Sequence, residues 1–367
     1  MNGPPTLFVV GCFAQFYLIF NYNQSKLSRF SDWSIRSALF TCCPDDRRHF
    51  SRTDPMITNL KAEYDLRFHL EEILTLGILV IMNMIMLIYT RIGDVAGIFM
   101  FNILLIMLVL SVRFLHRRIE GQWFADFRDI NIIIAGWLVY FEHHHLVPLV
   151  NPYDIDAYLI HIDRFLFLGI DPTVLLESIT HPMLTEFLQI VYASFYFLPF
   201  SIMLILFFKG RRMDFHVVVS TLMLSFYICY VGYYIFPAIG PRFTLDHLQT
   251  FPLSGVLFYD YVRDFLDGYS FMTRDCYPSG HALLSIMTAL LSYRYLRPYF
   301  RFIAAWAGII IFSTVYLRYH YVVDVITSLI IAMIVFKFNP QMVQRYIFAF
   351  KNGREERIAP QSINSKI

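Results

Sequence analysis

Three short polar stretches stand at the ends of long apolar runs, where ionisable groups are costly and therefore informative. In the first, Pro278-Ser279-Gly280-His281 leads into an apolar run and has the pattern of a helix start. Ser279 can cap such a helix, and Gly280 lets a ligand approach the backbone. The free amides and the helix dipole attract an anion there. His281 beside it can give or take a proton near neutral pH. In the second, His320 and Asp324 stand four residues apart and share a face on a helix. A carboxylate bonded to one ring nitrogen fixes the tautomer and leaves the other nitrogen free to attack. Arg318 joins the same anion only if the chain is irregular at that point. In the third, Arg242 follows the turn Ile239-Gly240-Pro241, and a guanidinium grips phosphate through two parallel hydrogen bonds. Singly, these are a capped helix, a structural His–Asp pair and an interfacial anchor. Together they are the parts of an in-line phosphoryl transfer, in which oxygen charge is neutralised, a nucleophile is aimed and a leaving oxygen is protonated.

The elements that must position these groups are membrane helices. A span needs about 20 mostly apolar residues. Eight segments qualify or nearly do: 73–90, 95–112, 129–149, 185–208, 215–238, 280–298, 301–318 and 321–338. Runs of this length do not alternate as barrel strands would, so the predicted fold class is an all-α polytopic bundle. Composition agrees. The chain is 57% hydrophobic and 16% charged, against about 25% charged in a soluble domain. The net charge of +2 says little, because in a membrane protein the placement of charge matters more than its sum. Five cysteines, an odd number without framework spacing, argue against a disulfide scaffold. The adjacent Cys42-Cys43 pair reads as ordinary thiols or as a site for a lipid chain.

The predicted organisation is an arm over 1–70, N-terminal membrane helices over 71–150, a catalytic membrane domain over 151–340 and a basic tail over 341–367. Residues 7–20 are apolar but lack the flanks of a signal peptide. They read as an extra anchor, a membrane-surface segment or a misplaced start of translation. Basic residues are retained on the cytoplasmic side. Arg113, Arg117 and Arg118, then Lys209, Arg211 and Arg212, then Arg294, Arg297 and Arg301, then the tail, all fall on one side when helices are counted. The three polar stretches then face the non-cytoplasmic side, with the C-terminus cytoplasmic. Within 150–184, Ile155, Tyr158, Leu159, Ile162, Phe165 and Leu166 recur at helical spacing. That spacing predicts an amphipathic helix, either lying in the interface plane to help a head group into the site or packing over the bundle end.

The stretch Tyr277-Pro278-Ser279-Gly280-His281, with Arg318-Tyr319-His320-Tyr321-Val322-Val323-Asp324 downstream, resembles the second and third signature motifs of the PAP2 (phosphatidic acid phosphatase type 2) superfamily. Gly240-Pro241-Arg242 resembles the reduced first motif of its subgroup that includes the inositol phosphorylceramide synthases. The resemblance implies that His320 is a nucleophile forming a phosphohistidine, that Asp324 orients it and that His281 protonates the leaving group. It further implies that Arg242, Ser279, Gly280 and Arg318 bind the phosphate, with no metal and no cofactor. Two positions depart from the pattern: Ile235 stands where the first motif has Lys, and Thr314 where the third usually has Arg.

The reaction expected is release of phosphate from a membrane lipid phosphate or diphosphate. The alternatives are transfer to a lipid or sugar hydroxyl and a non-catalytic transporter or scaffold. Gly280 favours hydrolysis, since the synthases tend to carry Leu there. The expected partner is a phosphate-bearing membrane lipid, not nucleic acid, with the oligomeric state left open. Glu142-His143-His144-His145 reads as a polar helix end, because consecutive histidines on a helix point apart and cannot chelate one ion. Arg274 and Asp275 stand within reach of a substrate at the second motif.

Overall fold

Leu, Ile, Met and Phe in long runs favour helix in hydrocarbon, because a helix satisfies every backbone polar group within itself. The computed structural model describes residues 68–119, 121–269 and 274–358. The apolar stretch 7–20, the Cys42-Cys43 pair and the end of the tail lie outside the described residues. Within them no strand occurs. The helices are α1 (Leu70–Tyr89), α2 (Ile92–His116), α3 (Gln122–Leu138), α4 (His143–Val150), α5 (Asp156–Leu166) and α6 (Pro182–Ala193). They continue as α7 (Phe197–Phe208), α8 (Arg212–Ile235), α9 (Tyr259–Tyr269), α10 (Gly280–Tyr295), α11 (Phe300–Tyr316) and α12 (Val322–Ile358).

Among the described residues, six helical stretches are long and apolar enough to cross a membrane: 70–89, 92–116, 182–208, 212–235, 297–316 and 322–343. Two of the eight expected spans fall short for different reasons. The segment expected at 129–149 opens on buried Asp129, directly after buried Arg128, and is broken by a 3-10 turn at Val139–Glu142. There Glu142 is buried and accepts from Asn102 Nδ2 at 2.9 Å. The segment expected at 280–298 forms a helix of only 16 residues, which rises about 24 Å against a hydrocarbon core of about 30 Å. α12 also runs beyond the expected end of its span, through Pro340 to Ile358.

α8 is the central post. It is buried over 72% of its spanning window, against 28% for α2 and for α12. Its polar residues do not contradict that position. Ser220, Thr221 and Ser225 bond back to carbonyls of their own helix at 2.7, 2.6 and 2.8 Å. Tyr227 meets Thr75 Oγ1 of α1 at 2.7 Å, and Asn339 Nδ2 of α12 donates to Thr221 Oγ1 at 3.0 Å. Such interhelical bonds, with close packing, join helices where lipid tails supply no hydrophobic drive.

The two ends of the bundle differ in chemistry. At one, Arg211 Nη1 donates to the Tyr295 carbonyl at 2.6 Å and Lys209 Nζ lies 5.5 Å from the Tyr299 ring, so two of the basic connections meet. At the other, the chain leaving α8 is stitched to two neighbours. Ile155 N donates to the Pro237 carbonyl at 2.8 Å, and Cys276 N to the Ala238 carbonyl at 3.1 Å. All three polar stretches identified in the sequence gather at that second end.

Candidate active site

Ser279 caps α10 as its sequence predicts, its hydroxyl accepting from Ala282 N at 3.2 Å. His281 therefore sits in the first turn, between aromatic walls. Tyr192 stacks on it at 4.4 Å between ring centroids, and Phe195 lies at 4.3 Å. Its Nδ1 is 3.5 Å from the Tyr192 hydroxyl, a long contact, and its Nε2 has no hydrogen-bond partner among the described residues. That nitrogen is the available proton carrier.

His320 comes from the turn between α11 and α12. α11 ends in a Schellman-type cap, with Tyr319 N donating to Thr314 O at 2.9 Å and Arg318 in the left-handed region at φ 67°. The irregular turn delivers His320 so that its ring lies 5.8 Å from that of His281, centroid to centroid. At that separation both rings can reach one anion lying to the side of the line between them.

The hold on His320 differs from the expected one. Its Nδ1 is 2.9 Å from the Cys276 carbonyl and 3.4 Å from Asp324 Oδ2. A carbonyl only accepts, so Nδ1 carries the proton and Nε2 keeps its lone pair. Asp324 Oδ2 is also engaged by Tyr321 N at 2.9 Å and by the Cys276 thiol at 3.0 Å. Asp324 thus stands at the third position of α12 reaching back to the residue that caps it, half of a capping box, while its charge supports His320 from slightly farther away. Cys276 was not singled out in the sequence, and a backbone carbonyl leaves no signal there.

The donor atoms of Cys276, His320 and Asp324 lie within 4.8 Å of one another, close enough for a metal. Burial, then the neighbouring Asp324 carboxylate, pushes the Cys276 thiol well up. The thiol hydrogen-bonds Asp324 Oδ2, and Asp324 and the Cys276 carbonyl both hold the His320 ring.

Arg242 lies half-buried on the single turn Pro241–Thr244, with its guanidinium 5.3 Å from the Tyr319 ring. Tyr319 in turn stacks on Tyr192 at 4.4 Å, so an aromatic column links the arginine to His281. Gly240 before it has φ +93°, and a Cβ there would meet the Tyr319 carbonyl at 2.8 Å and Cys276 Sγ at 3.2 Å. No other residue fits. The loop is anchored by a residue not identified from sequence. Buried Asp156 accepts from Ile239 N at 2.9 Å, Gly240 N at 2.8 Å and the Tyr321 hydroxyl at 2.7 Å.

Asp156 belongs to α5, the expected amphipathic helix, whose buried face carries two carboxylates beside Leu159. Tyr158 and Phe165 are 72% and 80% exposed, while Asp156 and Asp163 are 5% and 2% exposed. Asp163 caps α12, accepting from Val322 N and Val323 N at 2.9 Å each. Burial raises its carboxyl to about 6 against the pull of those two amides. The helix turns apolar side chains outward and uses its carboxylates to pin the site.

Two expected contributors are engaged elsewhere. The Arg318 guanidinium binds Glu177 Oε1 at 2.9 Å, the Phe251 carbonyl at 3.0 Å and Gln249 Oε1. It clamps loops instead of joining the two imidazoles. Arg274 pairs with Asp154 at 2.6 and 3.0 Å. Asp275, by contrast, faces the site. It accepts from the Tyr140 hydroxyl at 3.0 Å, and burial raises its carboxyl while the His320 and Arg242 charges pull it back. Gly280 is buried, and a Cβ on it would meet the Tyr233 hydroxyl at 2.9 Å. Its smallness therefore serves packing against α8.

Known proteins resemble this chain in part. A PA-phosphatase related-family protein of Dictyostelium discoideum is 35% identical over 109 residues, which cover 29% of this chain and 20% of that relative. The match thus spans about a fifth of the relative's length. No solved structure matches. A family model described as the PAP2 superfamily matches residues 157–338. That span runs from the start of α5 to the last turns of the membrane part of α12 and contains His281, His320, Asp324 and Arg242, so the C-terminal half of this chain carries a PAP2 domain.

Proposed function

We propose that this protein is a membrane lipid phosphatase working through a phosphohistidine on His320. The observation that carries the reading is the meeting of two imidazoles from separate elements, 5.8 Å apart. One is held through Nδ1 at 2.9 Å, and the other has an unengaged Nε2. His320 Nε2 attacks phosphorus, the P–O bond to the lipid breaks, and His281 delivers a proton to the departing oxygen. Water then attacks the phosphohistidine while His281 takes its proton, and inorganic phosphate leaves with both rings restored. Arg242 and the first-turn amides of α10, held by the Ser279 cap, neutralise charge on the phosphoryl oxygens. Phosphatidate, a prenyl diphosphate or a lipid-anchored sugar phosphate fits the site's chemistry, and the exposed apolar face of α5 lies beside it. The basic connections gathered at the far end of the bundle support a site on the non-cytoplasmic face.

The test is purified protein in detergent with each labelled lipid phosphate, with and without a hydroxyl acceptor. Free phosphate without acceptor, abolished in His320→Ala and in His281→Ala, is the expected result. Product that appears only with an acceptor makes the protein a phosphotransferase. Full activity in His320→Ala removes the mechanism.

A further inference from the structure

A second polar cluster lies at the opposite end of α8, buried among α1, α3 and α8. His69 precedes α1, Glu71 is in its first turn, and His216 is in the first turns of α8; they are 3%, 1% and 3% exposed. His216 Nδ1 is 2.7 Å from Glu71 Oε1, and His69 Nδ1 is 3.6 Å from the same oxygen. The two rings meet edge to face at 4.2 Å. From His216 to Tyr233, beside Gly280, α8 rises about 25 Å, so this cluster takes no part in phosphoryl transfer.

We propose that His69, Glu71 and His216 bind one divalent transition-metal ion of the zinc type, bracing the start of α1 against the start of α8. The donor set is two imidazoles and a carboxylate, the ligands zinc accepts alongside thiolate. Their donor atoms all lie within 4.8 Å of one another. Ligands of a tetrahedral zinc stand about 3.3 Å apart, so the Glu71–His216 contact at 2.7 Å opens by about 0.6 Å and the His69–Glu71 contact at 3.6 Å closes by about 0.3 Å. Glu71 Oε2 is buried and has no hydrogen-bond partner among the described residues. That oxygen is available as a further ligand.

A carboxylate stands behind His216, where metal-bound imidazoles commonly have one. If Nδ1 of His216 takes the metal, its Nε2 faces Asp129 Oδ1 at 3.9 Å, and Arg212 holds Asp129 from the other side. The neighbouring carboxylates already have guanidinium partners. Arg128 grips Glu72 through two bonds of 2.6 Å, and Arg212 bridges Asp126 and Asp129. Glu71 bonds an imidazole instead.

The full chain, purified in detergent without chelator, supplies the test. Elemental analysis is expected to find about one zinc per chain, and Co²⁺ in its place gives the visible bands of a tetrahedral site. Zn²⁺ raises the thermal midpoint by a few degrees through mass action on the folded form, whereas Mg²⁺, which prefers oxygen ligands, does not. Glu71→Gln and His216→Gln each lose the ion and the shift while phosphate release is retained. Wild-type protein without stoichiometric metal, without Co²⁺ bands and without a Zn²⁺-dependent shift overturns the proposal. The cluster is then a hydrogen-bonded ion network with a proton on an imidazole.

Discussion

Asp156→Asn tests whether α5 positions the phosphate-binding loop. The wild-type carboxylate receives three donors, from Ile239 N, Gly240 N and the Tyr321 hydroxyl, at 2.9, 2.8 and 2.7 Å. Asparagine keeps one oxygen. Its better orientation leaves that oxygen on Gly240 N and the Tyr321 hydroxyl, which share Oδ1, and turns its NH₂ against the Ile239 amide. One charge-assisted bond is lost and two donors face each other at a buried position. Bonds to charged groups are worth about 1.5–3 kcal/mol each, so the loop loses roughly 2–3 kcal/mol of its anchoring. Arg242 begins three residues after Ile239, and if that energy appears as mispositioning of its guanidinium, kcat/KM falls by about 30- to 150-fold. The assay is phosphate release from a lipid phosphate in detergent, well below the thermal midpoint, with Asp154→Asn as the comparison. Asp154 pairs with Arg274 at partly exposed positions, where a pair contributes at most about 1 kcal/mol, and its loss costs less than about tenfold. An Asp156→Asn enzyme within threefold of wild type, with an unchanged midpoint, refutes the role given to α5.

Three further substitutions separate positioning from chemistry. Asp324→Asn retains the Cys276 carbonyl at 2.9 Å from His320 Nδ1, so the tautomer survives and the rate drops by about 10- to 100-fold, short of the complete loss expected for His320→Ala. Equal losses in the two variants, measured as single-turnover rates, contradict that division. Arg318→Met breaks a pair whose side chains are 5% and 9% exposed. It lowers stability by about 3–5 kcal/mol with little change in kcat/KM at low temperature, whereas Arg242→Lys does the reverse; a Michaelis–Menten series beside thermal melts distinguishes them. Asp163, raised to about 6 by burial, favours its protonated form in the fold. Its contribution to stability is full below about pH 4 and lost as pH rises through about 6. Asp163→Asn flattens that part of the decline in melting temperature, and an unaltered pH profile shows that the carboxylate carries no such penalty.

Helices were legible because hydrocarbon imposes one rule on every residue of a span. Leu70–Tyr89 and Ile92–His116 each form one helix despite Asn83 and Asn102 within them, and their expected positions differ from the observed ones only at the ends. In the segment expected at 129–149 the pattern lost its meaning. Glu142 inside an apolar segment reads as a polar helix end, yet it is a buried acceptor for Asn102, a residue 40 positions away. The two histidines and Asp324 were legible for a different reason. Their chemistry depends on residue type and on local spacing, both of which a sequence states directly.

What the sequence could not state is which partner a charge meets. Arg318 and Arg242 are the same residue type at comparable boundaries. Arg318 occupies a left-handed cap position, and from there its guanidinium reaches Glu177 and the 249–251 loop, at separations of 141 and 67–69 residues. α5 shows the same limit from the opposite direction. Its period of 3.6 correctly gives two faces, but in water the carboxylate face would be the outer one. In the fold those carboxylates turn inward instead, because Asp156 and Asp163 are satisfied there by the amides of Ile239, Gly240, Val322 and Val323. Periodicity identifies the faces of such a helix, and the amides that meet its carboxylates decide which one turns inward to hold the site.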